Sequence, residues 1–395
     1  MSGGGNGVSA IGKERIHELA VAALEEYGLP EASPRFLRAG RGKHIFRVAS
    51  PDGEDLLLRL YAPPVSAKRR RSFSEPALRS QLLWQESLRH EAGLPVPEPV
   101  RTPEGSLTVR ASTRNVPEGR SCVLVSWVPG QTRAAEEMSA EDMRLAGSIV
   151  ARMHDHAARY AAPEGFSRPR HDWNQLFRPS AGIWKSGERF YTAAEMKVFR
   201  TVAQRARREM LRLGEGNEVF GLIHRDIHPE NIVFGGNGVA VIDFEGCGWG
   251  HYLYDLAVTM FRLEDHGNRG AVLREAFLDG YQRVRPIPES HRAYLDTFVT
   301  LRVVNKINGI LLREDPASHP HSADFLSGSP ALERLAEYAE GARTGTLDGR
   351  WRWPRAAASS LASRALGRWK GFSCAASPGL WQTEEMLKTC VFGFL

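Results

Sequence analysis

Cysteine is scarce in this chain: Cys122, Cys247, Cys374 and Cys390 are the four in 395 residues, and they show no paired spacing. A disulfide framework or zinc knuckle is therefore not expected, and a reducing compartment suits the composition. Long hydrophobic runs are missing as well. No stretch approaches the ~20 apolar residues that span a bilayer. The start, Met1-Ser-Gly-Gly-Gly-Asn-Gly7, lacks the basic-then-apolar order of a signal segment. These absences point to a cytoplasmic protein without a membrane partner. There is no Gly-x-x-x-x-Gly-Lys-Ser/Thr, which excludes a Walker-type P-loop. A large excess of one charge is lacking too. The net charge is +6, but residues 341–395 hold eight Lys/Arg against three Asp/Glu, so the remainder is near neutral. Lys68-Arg69-Arg70-Arg71 is a dense basic run without the aromatic or groove-reading context of a nucleic-acid surface. It reads as a solvated loop, and no nucleic-acid partner is expected.

What is present is enough apolar sequence, 42%, for two cores in 395 residues. Ile16, Leu19, Ala20, Ala23, Leu24 and Tyr27 recur at helical spacing until Gly28 and Pro30 stop them. Strand-like runs follow at Phe36–Leu37, His44–Val48 and Leu56–Leu60, the last two joined by the turn Pro51-Asp52-Gly53. A helix fits Glu75 to His90, then strands at Leu107–Val109 and Val123–Trp127. From Ser139 the periodicity turns helical. Strands followed by helices predict an α+β chain of a small β-rich lobe and a larger helical lobe, with a ligand between them.

The densest chemistry lies in Gly221-Leu-Ile-His-Arg-Asp-Ile-His-Pro-Glu-Asn-Ile-Val-Phe-Gly-Gly-Asn-Gly-Val-Ala-Val-Ile-Asp-Phe-Glu245. Ile232–Phe234 and Val239–Ile242 read as strands, and the glycines between them supply a tight turn. Such a hairpin carries Asn231 and Asp243 to its open end, with Asp226 on the loop that enters it. An amide and a carboxylate there offer oxygen ligands to a hard cation such as Mg²⁺. Asp226 can accept the proton of an attacking hydroxyl. A zinc centre is the rival, since His224-x-Asp226-x-His228 alternates like ligands on a strand. It would need further ligands such as His154 or His156.

His224-Arg225-Asp226 … Asn231 … Asp243-Phe244 matches the protein-kinase pattern H-R-D-x-x-x-x-N and D-F-G, with Glu245 in place of glycine. Together with Gly250-His-Tyr-Leu-Tyr-Asp-Leu-Ala257, these motifs resemble the aminoglycoside phosphotransferase family. That protein-kinase-like group also takes in choline kinases, homoserine-kinase-like enzymes and a stress-response protein kinase. The resemblance spans roughly residues 30–340 by order of motifs, and its specific part is Gly221 to Ala257. It implies a two-lobed fold, with 31–128 the nucleotide-binding N-lobe and 129–343 the C-lobe. Periodicity places a helix in residues 1–30, packing on the N-lobe, and low pattern with positive charge makes 344–395 a basic, poorly ordered extension or a loosely attached helix. Removing residues 346–395 is expected to leave ATP turnover intact.

The resemblance also assigns roles. Asp226 is the base or orienter, and Asn231 and Asp243 hold Mg²⁺. ATP is the donor, with Gly40 and Gly42 near its phosphates. Arg59 stands where protein kinases have a phosphate-pairing lysine. Gln81 falls where a glutamate partner is expected, and Ser126, Trp127 and Val128 fall at the hinge beside adenine. Asp255 braces the catalytic loop, and Glu245 faces substrate or a second cation. The implied acceptor is the hydroxyl of a small polar molecule, amine-bearing in most of the family. The alternatives are Ser/Thr of a protein, or a nucleotide-binding module with little turnover. An aminoglycoside acceptor would require acids such as Glu264, Asp265, Glu275 and Asp279 to line its pocket.

Overall fold

The computed structural model describes residues 12–341 except 41, 51–52, 64–72, 237, 314–324 and 327–328. The basic run 68–71, the first two residues of the 51–53 turn and the extension 344–395 lie outside the described residues.

The N-terminal lobe is a five-stranded antiparallel sheet in the order β1-β2-β3-β5-β4. Its strands are Ser33–Gly40 (β1), Lys43–Ala49 (β2), Asp55–Tyr61 (β3), Val109–Thr113 (β4) and Val116–Ser126 (β5). Helix α1 (Lys13–Glu26) covers one face, packing Ile16, Leu19, Ala23 and Leu24 on Leu56, Leu58, Leu60 and Cys122. The other face packs Leu57, Tyr61, Val123 and Val125 against Leu78 and Leu82 of helix α2 (Glu75–His90). Side chains alternate along a strand, so Arg59 shares the face of Leu57 and Tyr61 and points toward α2. That settles which way this charge faces.

The strand expected at Leu107–Val109 begins instead at Val109 and runs to Thr113. Leu107 is buried on the α2 side, in a turn where Ser106 Oγ donates to Thr108 O and Tyr27 OH donates to Leu107 O. Local bonds of this kind replace ladder pairing.

The C-terminal lobe is mainly helical. Helix α3 (Ala140–Ala157) opens on a capping box at Ser139 and Asp142. It is followed by α4 (Ala193–Leu213), α5 (Tyr252–Arg262), α6 (Gly267–Val284), α7 (Leu295–Leu311) and α8 (Ser329–Glu340). The predicted hairpin forms from β7 (Ile232–Gly235) and β8 (Gly238–Val241), with the two-residue β6 (Gln131–Thr132) pairing on β7.

α3 and α6 cross at close range. A Cβ on Gly147 would sit 2.0 Å from Phe277 O, and one on Gly280 would sit 2.0 Å from Arg144 O. Each helix thus gives up a side chain where the other's backbone passes. Gly147→Ala should lower stability by about 2 kcal/mol, the usual cost of overpacking. A thermal melt reads this directly, and an unchanged midpoint would contradict the tight crossing.

Candidate active site

The hairpin is antiparallel, with Gly235 opposite Gly238 and Ile232 opposite Val241. Ile242 N–H donates to Asn231 O at 3.0 Å and extends the ladder to the open end. Asn231 and Asp243 are therefore brought alongside one another. Asn231 Nδ2 donates to Asp226 O at 2.9 Å and lies 3.1 Å from His228 Nε2. A backbone carbonyl only accepts, which fixes the amide with nitrogen inward and leaves Oδ1 for a ligand. Asp243 Oδ1 is buried without a hydrogen-bond donor. A buried carboxylate oxygen without a hydrogen bond is costly, even with Lys43 Nζ 3.7 Å and Arg59 Nη2 3.9 Å away, and a hard cation would satisfy it. These oxygens fit Mg²⁺.

Among the described residues, two that are not glycine have left-handed backbones, Arg225 (φ 74°) and Asp243 (φ 65°), and both belong to this site. Such conformations cost of order 1–3 kcal/mol each and persist only where their surroundings hold them. At Arg225 the holder is Asp255, whose two carboxylate oxygens accept the His224 and Arg225 N–H groups. Asp255 is fully buried and also accepts from His154 Nε2 at 3.2 Å. Burial lowers the pKa of His154, whose Nδ1 accepts from Tyr281 OH at 2.9 Å. Asp255 thus braces the loop that carries Asp226.

Three of the four rings considered for zinc are committed elsewhere: His224 Nε2 donates to Ile242 O, His154 is engaged as above, and His156 bonds Ser87 Oγ. His228 stays in the site, with Nδ1 2.6 Å from Glu230 Oε2.

Asp226 lies between Arg302 and His228. Arg302 Nη2 on α7 is 3.2 Å from Oδ1, and His228 Nε2 is 3.5 Å from Oδ2. Burial alone would raise the Asp226 pKa, but His228 and Arg302 outweigh it and hold it below the usual carboxylate range. The group is ionised at working pH, so kcat/KM should show no acid limb from Asp226 in the physiological range. A limb near neutrality that vanishes in Asp226→Asn would contradict this ordering.

Facing this loop, the N-lobe presents a cationic wall. Register places Lys43 opposite Tyr61 and Ile45 opposite Arg59. Lys43 Nζ is 2.8 Å from Glu245 Oε1 and 3.7 Å from Asp243 Oδ1. Arg59 lies 3.9 Å from both carboxylates. Burial raises the Asp243 pKa, yet Lys43 and Arg59 outweigh that and bring it to about 2. Gly42 has φ 74°, as its turn requires, and Gly40 closes β1. Gln81 is buried but donates to Gln85 Oε1 at 3.0 Å, and its own Oε1 has no hydrogen-bond partner. Gln81 therefore gives Arg59 no hydrogen bond.

Between the lobes is a cavity of about 430 Å³ lined by Leu57, Trp127, Val128, Val233 and Ile242, among others. Trp127 and Val128 of the hinge line it. The Ser126 N–H donates to Glu98 O and its Oγ accepts from Glu98 N–H.

Sequence reasoning missed Lys43, Tyr61 and Arg302. A signal for Arg302 existed: a lone cation within Leu295-Asp-Thr-Phe-Val-Thr-Leu-Arg-Val-Val304 is costly unless paired. None existed for Lys43, because its inward direction depends on the β2–β3 register.

The model of the phosphotransferase enzyme family matches residues 34–294. A homoserine kinase of Neisseria meningitidis serogroup B is 26% identical over 212 residues, 52% of this chain and 62% of that protein. The chain thus spans less than two thirds of that relative. An uncharacterized protein of Deinococcus radiodurans is 28% identical over 294 residues, covering 72% and 79%. Among solved structures, a microcompartment-associated aminopropanol kinase superposes with TM-score 0.62 at 24% identity, covering 82% of this chain and 96% of that one. An amicoumacin kinase in complex with AMP-PNP, Ca²⁺ and Ami superposes with TM-score 0.65 at 15% identity, covering 86% and 96%. The two-lobed α+β architecture, the kinase motifs and a family match across more than half of its length agree: this chain belongs to the phosphotransferase enzyme family.

Proposed function

We propose that this protein is an ATP- and Mg²⁺-dependent phosphotransferase that moves the γ-phosphoryl group to a hydroxyl of a small polar molecule. The observation that carries this is the convergence of Asn231 and Asp243 beside Asp226, opposite Lys43 and Arg59. Lys43 and Arg59 bind the phosphates, and the cavity at Trp127 and Val128 takes the base. Asp226 accepts the acceptor's hydroxyl proton as its oxygen bonds the γ-phosphorus and the bond to the β-phosphate oxygen breaks, giving ADP. Arg302 keeps Asp226 ionised and aimed. Mg²⁺ at Asn231 and Asp243 would offset charge on the phosphoryl oxygens.

A small acceptor is favoured over an aminoglycoside by where the acids lie. Asp279 is paired with Arg144 at 3.1 Å and Arg283 at 2.8 Å, and Glu264 faces Arg334 at 3.8 Å. Glu275 is exposed, and the Asp265 side chain lies outside the described residues. A polycation would meet Arg302 at Asp226 instead. Purified protein given ATP and a panel of small alcohols, amino alcohols, aminoglycosides and generic protein substrates should consume ATP fastest with a small alcohol. Labelling of Ser/Thr in protein with no turnover of metabolites would favour the stress-response type. ATP binding without turnover on any acceptor would favour the nucleotide-binding module.

A further inference from the structure

We propose that Glu245 is the counter-ion of the phosphate-binding cations Lys43 and Arg59, in place of a glutamate on helix α2. This role rests on the nucleotide site proposed above. Helix α2 offers no charge where its inward face meets β3, because Gln81 is neutral and donates to Gln85. The negative charge arrives from the opposite lobe. Glu245 Oε1 is 2.8 Å from Lys43 Nζ, accepts from Tyr61 OH at 3.0 Å, and lies 3.9 Å from Arg59 Nη1. Its side chain is 14% exposed, so these charges meet with little screening.

The turn that carries Glu245 is fixed on both sides. Arg168 Nη2 donates to Glu245 O at 2.7 Å, Nε donates to Cys247 O at 2.8 Å, and Nη1 reaches Ala77 O of α2 at 3.0 Å. Phe244 is fully buried between Trp84 and His224. The side chain of Glu245 is thus aimed at the N-lobe strands by a rigid turn. The left-handed Asp243 begins that turn, so one local backbone conformation places both the metal-site carboxylate and the counter-ion.

The lone Arg59 Nε shows what this arrangement leaves undone: it is buried without a hydrogen-bond partner. The carboxylates neutralise Arg59 from 3.9 Å without satisfying its Nε. A nucleotide phosphate can supply that acceptor while Glu245 holds Lys43 and Tyr61. Glu245 is a positioning residue here; its charge opposes phosphate binding and orients the cations for transfer.

The rival role is a second metal ligand, and the two differ in sign. Glu245→Gln should bind ADP without metal, measured by calorimetry in chelator, roughly three- to tenfold tighter, because a repelling carboxylate is gone. Its kcat should fall about 100-fold as the cations lose their aim. Adding Gln81→Glu should return ADP affinity toward the wild type by restoring a charge from the helix. Unchanged or weaker metal-free ADP binding in Glu245→Gln, with a raised Mg²⁺ requirement, would overturn the counter-ion role. No return of affinity in the double variant would overturn its equivalence to a helix glutamate. A wild-type protein that binds no ADP would instead sink the proposed nucleotide site. If Gln81→Glu fails to fold, the single variant still decides.

Discussion

Asp226→Asn is expected to lower kcat for phosphoryl transfer about 1,000-fold while leaving nucleotide affinity nearly unchanged. A positioned proton acceptor contributes roughly 10²- to 10⁴-fold, and orientation of the attacking hydroxyl adds to it. The amide keeps an oxygen for Arg302 Nη2, which is 3.2 Å away in the native site. It cannot take a proton. Arg302 is only 7% exposed, so losing its anionic partner should also cost on the order of 1–3 kcal/mol of stability. Rate and melting midpoint must therefore be measured together. Transfer within tenfold of the wild type, with the fold intact, would remove Asp226 from the chemistry.

The second large effect concerns stability. Asp255→Ala should destabilise the protein by about 3–6 kcal/mol, because it strands several buried donors at once. The His224 and Arg225 N–H groups and His154 Nε2 all give hydrogen bonds to this carboxylate. A cost of that size is a large share of the ~5–15 kcal/mol that keeps a domain folded. The left-handed Arg225 should relax once its brace is gone, so activity should fall before global unfolding. Denaturant titration followed beside activity tests this, and a loss under about 1 kcal/mol would show that water replaces the carboxylate.

Much of the architecture was legible in the sequence because it rests on local patterns. The period of Ile16, Leu19, Ala23 and Leu24 places α1 on the sheet, and the glycines at 235–238 turn the hairpin. Asn231 and Asp243 could be brought together on paper because a two-strand ladder has only one open end. What could not be read depends on pairings far apart in sequence. Lys43 meets Glu245 across 202 positions, and Arg302 meets Asp226 across 76. The helix face holding Gln81 could be computed from spacing, but its choice of Gln85 over Arg59 depends on side-chain packing. The start of β4 slipped because side-chain bonds near Ser106 compete with the ladder.

Ser126 and Trp127 spend their amide hydrogens on Glu98 O and Asp55 O. A purine in the slot between Leu57, Val233 and Ile242, the position proposed above for the nucleotide base, would then be gripped by its flat faces more than by its edges. Aliphatic walls feel thickness and cannot tell a 6-amino group from a 6-oxo group. GTP should therefore serve as donor with kcat/KM within about tenfold of ATP; a preference of a thousandfold would mean that edge recognition resides elsewhere.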